Sequence, residues 1–267
     1  MKKFLKLNFT ITLLLILTTF SELKGQNGIS KYIIQKESGR IILGYQAFGD
    51  FMKTDKSWET YKKLMFDPYS EMQSVHKTAI RWGGIDSVKF PERVANYKSE
   101  DWENYFSRFD ERMVNFLYDS IIEKGNKILK PIKKNPVDLC LFLPYSGCFV
   151  LPENDRNIIC VSLLINPADI PKIMTHEYAH ILHLQRFPDE PLKLKREIVS
   201  EGMAVYLTTL IIKDLELLDA IPFMPDSSVK WCLQNEQLIK KSIKADLEDS
   251  IDNLFKKYIS DGSYAAP

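Results

Sequence analysis

Met174-Thr175-His176-Glu177-Tyr178-Ala179-His180-Ile181-Leu182 is the stretch from which the rest of the chain is read. Ile170, Ile173, Met174, Tyr178, Ile181, Leu182 and Gln185 recur with a period near 3.6, and Asp169 with Pro171 marks a start, so the spacing predicts a helix. On that helix His176 and His180 share one face a turn apart, and both imidazoles can reach a single Zn²⁺. Glu177, next to the first, is placed to act as general base on a water at the metal. The chain has only four histidines. A chance His-Glu-x-x-His has odds on the order of one in a few hundred, so the motif is read as chemistry.

A catalytic zinc takes three protein ligands and keeps a position open for water, so a third ligand is required. The candidates lie in Glu197-Ile198-Val199-Ser200-Glu201-Gly202-Met203-Ala204, on a second helix expected from about Leu192 to Lys213. Ile198, Met203 or Ala204, Val205, Leu207 and Leu210 are read as its inward side. Glu197 and Glu201 fall one turn apart on one face, so both are eligible. Gly202 favours Glu201, because glycine lets backbone or metal approach closely. His183 projects from nearly the same side as the imidazole pair and is a candidate for substrate or outer-shell contact, against a partly buried, hydrogen-bonded histidine. His76, in a polar helical stretch, is read as a surface residue.

His176-Glu177-Tyr178-Ala179-His180 followed by Glu201-Gly202-Met203-Ala204 resembles the gluzincin clan of zinc metallopeptidases, whose third ligand is a glutamate about twenty residues after the second histidine. It is similar, more narrowly, to a bacterial family of predicted zinc-dependent proteases that pairs a His-Glu-Tyr-x-His helix with a Glu-Gly-x-Ala helix. The likeness covers about residues 158 to 212. Metzincins want glycine and histidine where His183 and Arg186 stand. The resemblance implies one Zn²⁺ on His176, His180 and Glu201, Glu177 as base and then acid, and a peptide or protein substrate. It also implies a zincin-like fold, mainly α (α+β), with a small antiparallel or mixed sheet beside the HExxH helix and helices on either side. Two other readings stay open: an exported helical binding protein with structural or no zinc, His183 being the nearest fourth ligand, and a zinc hydrolase of a non-peptide amide. Tyr178, Tyr206, Tyr258 and Tyr264 are unranked candidates for steadying an oxyanion. The Gly-Tyr-rich segment that usually follows in that family does not follow Ser260 to Pro267 here.

Residues 1 to about 25 read as a secretory signal peptide: Lys2, Lys3 and Lys6 precede an apolar run from Leu7 to Phe20 that Asn8 and several threonines dilute. That run is too short and polar for a stable membrane span, although Leu23-Lys24-Gly25 is a poor cleavage site and leaves an uncleaved anchor open. The protein is therefore expected to be exported. Net charge of +1 gives no electrostatic case for nucleic acid. Export permits disulfides among Cys140, Cys148, Cys160 and Cys232, where one local bridge among the first three competes with buried free thiols.

Outward from the motif, residues 26–135 read as a mainly helical N-terminal part and 136–267 as the catalytic part, together one compact domain. Residues 29 to 52 look irregular or weakly extended, and a helix is expected from Lys56 to Phe66. Ser99 is expected to cap the longest helix, with Trp102, Phe106, Phe109, Met113, Phe116 or Leu117, and Ile121 as its inward stripe to about Leu129. Pro131 and Pro136 frame a linker, after which Val137–Leu143 and Ile158–Ile165 read as two strands. The second, or its neighbour, is the candidate edge for holding an extended peptide. Trp231, Leu233, Leu238, Ile239 and Ile243 suggest one further helix, and Leu247 to Tyr258 another.

Overall fold

The structure, a computed structural model, describes residues 30–249 apart from 68–69, 83–87, 97, 99, 101–102, 104–106, 108, 110, 143–146, 154, 163–165, 189–192 and 223. The signal-peptide reading, the Ser99 cap, the Trp102 and Phe106 positions and the pattern beyond residue 250 lie outside those residues.

Val137–Phe142 (β3) and Asn157–Ser162 (β5) are buried along their whole length, as expected of near-continuous apolar strands covered on both faces. They pair in parallel, Cys140 opposite Cys160. Gly39–Leu43 (β2) adds in parallel on the far side of β3, and two antiparallel strands finish the edges: Ile33–Lys36 (β1) on β2 and Phe149–Pro152 (β4) on β5. The order β1-β2-β3-β5-β4 makes one five-stranded mixed sheet, so the expected pair of strands is its centre. Two readings are corrected. Residues 33 to 43 form a hairpin and supply two strands, because Ile41, Ile42 and Leu43 find burial only against a strand nearly 100 residues away. The loop before β5 contains β4, whose four residues are too few to show alternation in sequence.

Between β2 and β3 the chain forms Gly44–Phe51 (α1), Trp58–Met65 (α2), Ser70–Trp82 (α3), Phe90–Ala95 (α4) and Glu111–Ile128 (α5). Ser57 caps α2, its Oγ accepting from Thr60 N–H at 3.2 Å. The long helix expected from Ser99 is interrupted: Ser107 is a turn, Phe109 has no regular structure, and α5 starts only at Glu111. Its inward side is Val114, Tyr118, Ile121, Ile122 and Gly125, while Phe116 is 78% exposed. An aromatic residue overrides its own hydrophobicity when the helix phase is fixed by four better-placed neighbours. His76 is likewise not on the surface. It is buried in α3, donating Nδ1–H to the Met72 carbonyl at 2.7 Å and accepting from the Tyr61 hydroxyl, among Phe66 and Tyr61 rings.

The metal helix is Ile170–Arg186 (α6), entered through a 3-10 turn at Pro167–Asp169 that Asn166 caps. Leu194–Ile211 (α7) follows and packs along it. On α7 the inward residues are Ala204, Leu207 and Ile211, whereas Ile198 and Leu210 are exposed. The C-terminal pattern splits into Asp226–Gln234 (α8) and Glu236–Lys244 (α9), broken at Asn235. Helix α5 crosses α6 so closely that a Cβ on Gly125 would stand 2.6 Å from the Tyr178 ring, which is why glycine is needed there. One apolar core runs from Tyr32 to Ile211, shared by the helices of the first half and the sheet. The protein is thus mainly helical with one small mixed sheet. Among the described residues no helix is long and apolar enough to cross a membrane.

Candidate metal centre

The middle of α6 and the second turn of α7 bring three donors together. His176 Nε2 lies 3.1 Å from Glu201 Oε2, His180 Nε2 lies 3.4 Å from Glu201 Oε1, and the two Nε2 atoms are 3.1 Å apart. Tetrahedral zinc with ligand bonds near 2.0–2.1 Å separates neighbouring donors by about 3.3 Å, so the two imidazole nitrogens stand near ligand spacing, each with one oxygen of the Glu201 carboxylate at a similar distance. His176, His180 and Glu201 are the group among the described residues able to hold a metal ion. Chemically the set fits: two imidazoles and one carboxylate are a donor combination that zinc accepts.

The electrostatics suit a cation. Burial pushes the His180 imidazole down to about 4, against the pull of Glu201 and with a further push from His176 and His183, so the ring is neutral at ordinary pH. Its Nδ1 is hydrogen-bonded to Ser200 Oγ at 2.9 Å, which fixes the ring's orientation; with the proton on Nδ1, the Nε2 lone pair is left for a metal. The Nδ1 of His176 is enclosed without a partner among the described residues, and Nε2 is the nitrogen that faces the cluster. Partial burial works to raise Glu201, but the hydrogen bond with His176 and the charges of His180 and His176 outweigh it, and the carboxyl titrates below its usual range. Its side chain is 56% exposed, so the centre opens to solvent on that side.

Glu177 is 5% exposed, and burial followed by the neighbouring Glu201 charge raises it to about 8. Two thiols lie within its electrostatic reach, Cys148 just before β4 and Cys160 on β5. Burial is the main cause that raises Cys148 to about 12 and Cys160 well above the usual range, with the Glu177 charge contributing to both. None of the four cysteines is in a disulfide, so the local bridge is not formed: Cys140 and Cys160 stand side by side on β3 and β5 as buried apolar groups.

Glu197 is half-buried one turn before Glu201 and does not join the donors; burial raises its carboxyl, Arg196 lowers it and Glu201 raises it again. A Cβ on Gly202 would meet nothing within 4 Å, so no other part of the protein approaches that glycine closely; helix phase brings Glu201 rather than Glu197 into the donor group. His183 is buried with its ring 5.1 Å from Phe187 and stands outside the donor group. Tyr178 drops out as an oxyanion donor, since it faces α5 and its hydroxyl donates to Asn126 Oδ1 at 2.5 Å. Tyr206 is exposed on α7; Tyr258 and Tyr264 lie outside the described residues. Ser200 was not singled out in the sequence. Only the phase of α7 against α6 turns a serine into a histidine anchor, and no local pattern carries that.

No protein-family model, curated protein or solved structure matches the chain.

Proposed function

We propose that the chain is a zinc-dependent hydrolase of peptide bonds, gluzincin-like in its ligand set and zincin-like in fold, acting after export. The observation that carries this reading is the convergence of His176, His180 and Glu201 near ligand spacing, open on the Glu201 side, with a buried carboxyl adjacent. A bound Zn²⁺ supplies the Lewis acidity that polarises a carbonyl and eases ionisation of water. Glu177 does the proton work: an Oε takes the proton of the attacking water and returns it to the leaving nitrogen. Its burial beside the donor group suits it to both transfers. Ser200 holds His180 in the tautomer that ligation needs.

Substrate placement is supported by the sheet edge. β5 lies between β3 and β4 and can take no added strand, whereas β4, beside α6, has no strand on its outer side among the described residues. An extended peptide adds there through main-chain hydrogen bonds. A closed structural site finds no support, because His183, the expected fourth ligand, stands outside the donor group.

The test is Glu177→Gln assayed on a peptide library with bound zinc measured in parallel. Zinc content is expected to remain, and turnover to fall by about 10²- to 10⁴-fold, the usual loss of a general base. Turnover equal to that of the parent would remove the assigned base and with it this reading.

A further inference from the structure

A cleft of about 620 Å³ opens at the start of β3 and β5, on the side of α6 away from the imidazoles. Tyr178, Ile181 and Gln185 line it, and on an α-helix these positions point opposite to His176 and His180. Its volume is that of a small-molecule site.

The wall of this cleft is built around one buried carboxylate. Asp138 is 1% exposed and is held by two arginines from different strands and turns. Arg40 donates Nε–H to Oδ1 at 3.2 Å and Nη2–H to Oδ2 at 2.5 Å, while Arg156 donates Nη1–H to Oδ2 at 2.8 Å. Two guanidiniums thus bring their positive charge to one carboxylate at the cleft. Lys133 and Lys134 add to it from the segment between Pro131 and Pro136. Acids from outside the wall meet this charge at two points, Asp119 at 2.8 Å from Lys36 and Asp155 at 3.6 Å from Arg156. The wall itself carries five cationic and two anionic side chains.

The lysine-bearing segment is fastened rather than loose. Gln185 Oε1 accepts from Ile132 N–H at 3.0 Å and Lys133 N–H at 3.2 Å, Gln185 Nε2 donates to the Lys133 carbonyl at 3.0 Å, and Arg186 Nη2 donates to the Lys130 carbonyl at 2.7 Å. Such fastening lowers the ordering cost of a ligand that meets this segment.

We propose that this cleft binds a small organic anion, its phosphate or carboxylate group seated on the Arg40–Asp138–Arg156 cluster. Planar guanidiniums recognise both groups through charge-assisted hydrogen bonds. The site is independent of the hydrolase reading, since it shares no residue with the metal centre.

The full chain is titrated with inorganic phosphate and, separately, with succinate at constant ionic strength set by sodium chloride, the heat being read by calorimetry. Saturable one-site binding is expected for at least one of them. Phosphate alone identifies a phosphorylated ligand and succinate alone a carboxylate one. R156Q is expected to weaken that binding about tenfold or more, the loss of a charge-assisted hydrogen bond, and H180Q to leave it unchanged. Should R156Q lose the native circular dichroism spectrum, K134E decides instead, with about fivefold weakening expected from reversing an exposed charge. The proposal is overturned if neither anion saturates, if the deciding variant stays within about twofold of the parent, or if binding disappears in H180Q, which would place the anion at the metal centre.

Discussion

Ser200→Ala separates a residue that orients the metal ligand from one that merely fills space. Ser200 is buried, and its Oγ is the partner of His180 Nδ1–H at 2.9 Å. Removing the acceptor frees the imidazole to rotate about its outer bonds and to shift tautomer, so part of the ligating geometry must be re-formed on each binding event. Losing such a partner lowers metal affinity about 10- to 100-fold, or roughly 1.4 to 2.7 kcal/mol. The metal-free protein should respond as well. Alanine is the better helix former by a few tenths of a kcal/mol, but leaving the largely buried Nδ1–H without an acceptor costs about 1 to 3 kcal/mol, so the melting temperature without metal should fall modestly. The assay is zinc competition against a chromogenic chelator, together with thermal melts of the metal-free and zinc-loaded forms. The expected signature is weakened affinity, a smaller zinc-induced rise in melting temperature, and a modest loss of stability without metal. Affinity within about twofold of the parent would refute the reasoning, since a ring that keeps its pose without Ser200 is not held by it.

Other consequences can be measured independently. Glu201→Gln should lower zinc affinity by more than about 100-fold, beyond the range of outer-shell losses, while Glu197→Gln stays within a few-fold; the reverse ranking would exchange their roles. Gly125→Ala should destabilise by about 1 kcal/mol in denaturant melts. The new Cβ would stand 2.6 Å and 2.9 Å from ring atoms of buried Tyr178, and overpacking of about 1 to 3 kcal/mol outweighs the helix-propensity gain of about 1 kcal/mol. A net gain in stability would show that the α5–α6 contact yields. Burial pushes His76 down to about 4, opposed by its bond to the Met72 carbonyl. Its folded value lies below its unfolded one near 6.5, so its contribution is complete above pH 6.5 and lost as pH falls towards 4, in all about 3 kcal/mol. His76→Gln should flatten the stability profile across that window, and an unchanged profile would remove His76 as the cause.

Much of the candidate site was readable before any coordinates because its elements are local. The His176–His180 spacing is a property of one helix, the limits of α6 follow from Asp169, Pro171 and Pro188, and the central strands announce themselves as unbroken apolar runs. Misreadings arose where a short local signal met a distant partner. Ile41 and Ile42 look unremarkable until β3 lies beside them, and Phe116 has the right spacing but is displaced by Val114 and Tyr118. His76 sits among polar neighbours in sequence and among aromatic rings in space.

By itself the sequence determined the ligand types, the helix that carries two of them, and the two residues eligible as third. Tertiary structure alone brought Glu201 rather than Glu197 to the imidazole pair, gave His180 its serine, made β4 rather than β5 the open edge among the described residues, and set two arginines on Asp138 across a gap of 98 residues for Arg40. The division has one physical cause. Helix period and apolar runs are encoded within a few residues, whereas the phase of one helix against another and the order of strands are fixed only when the whole core is buried at once.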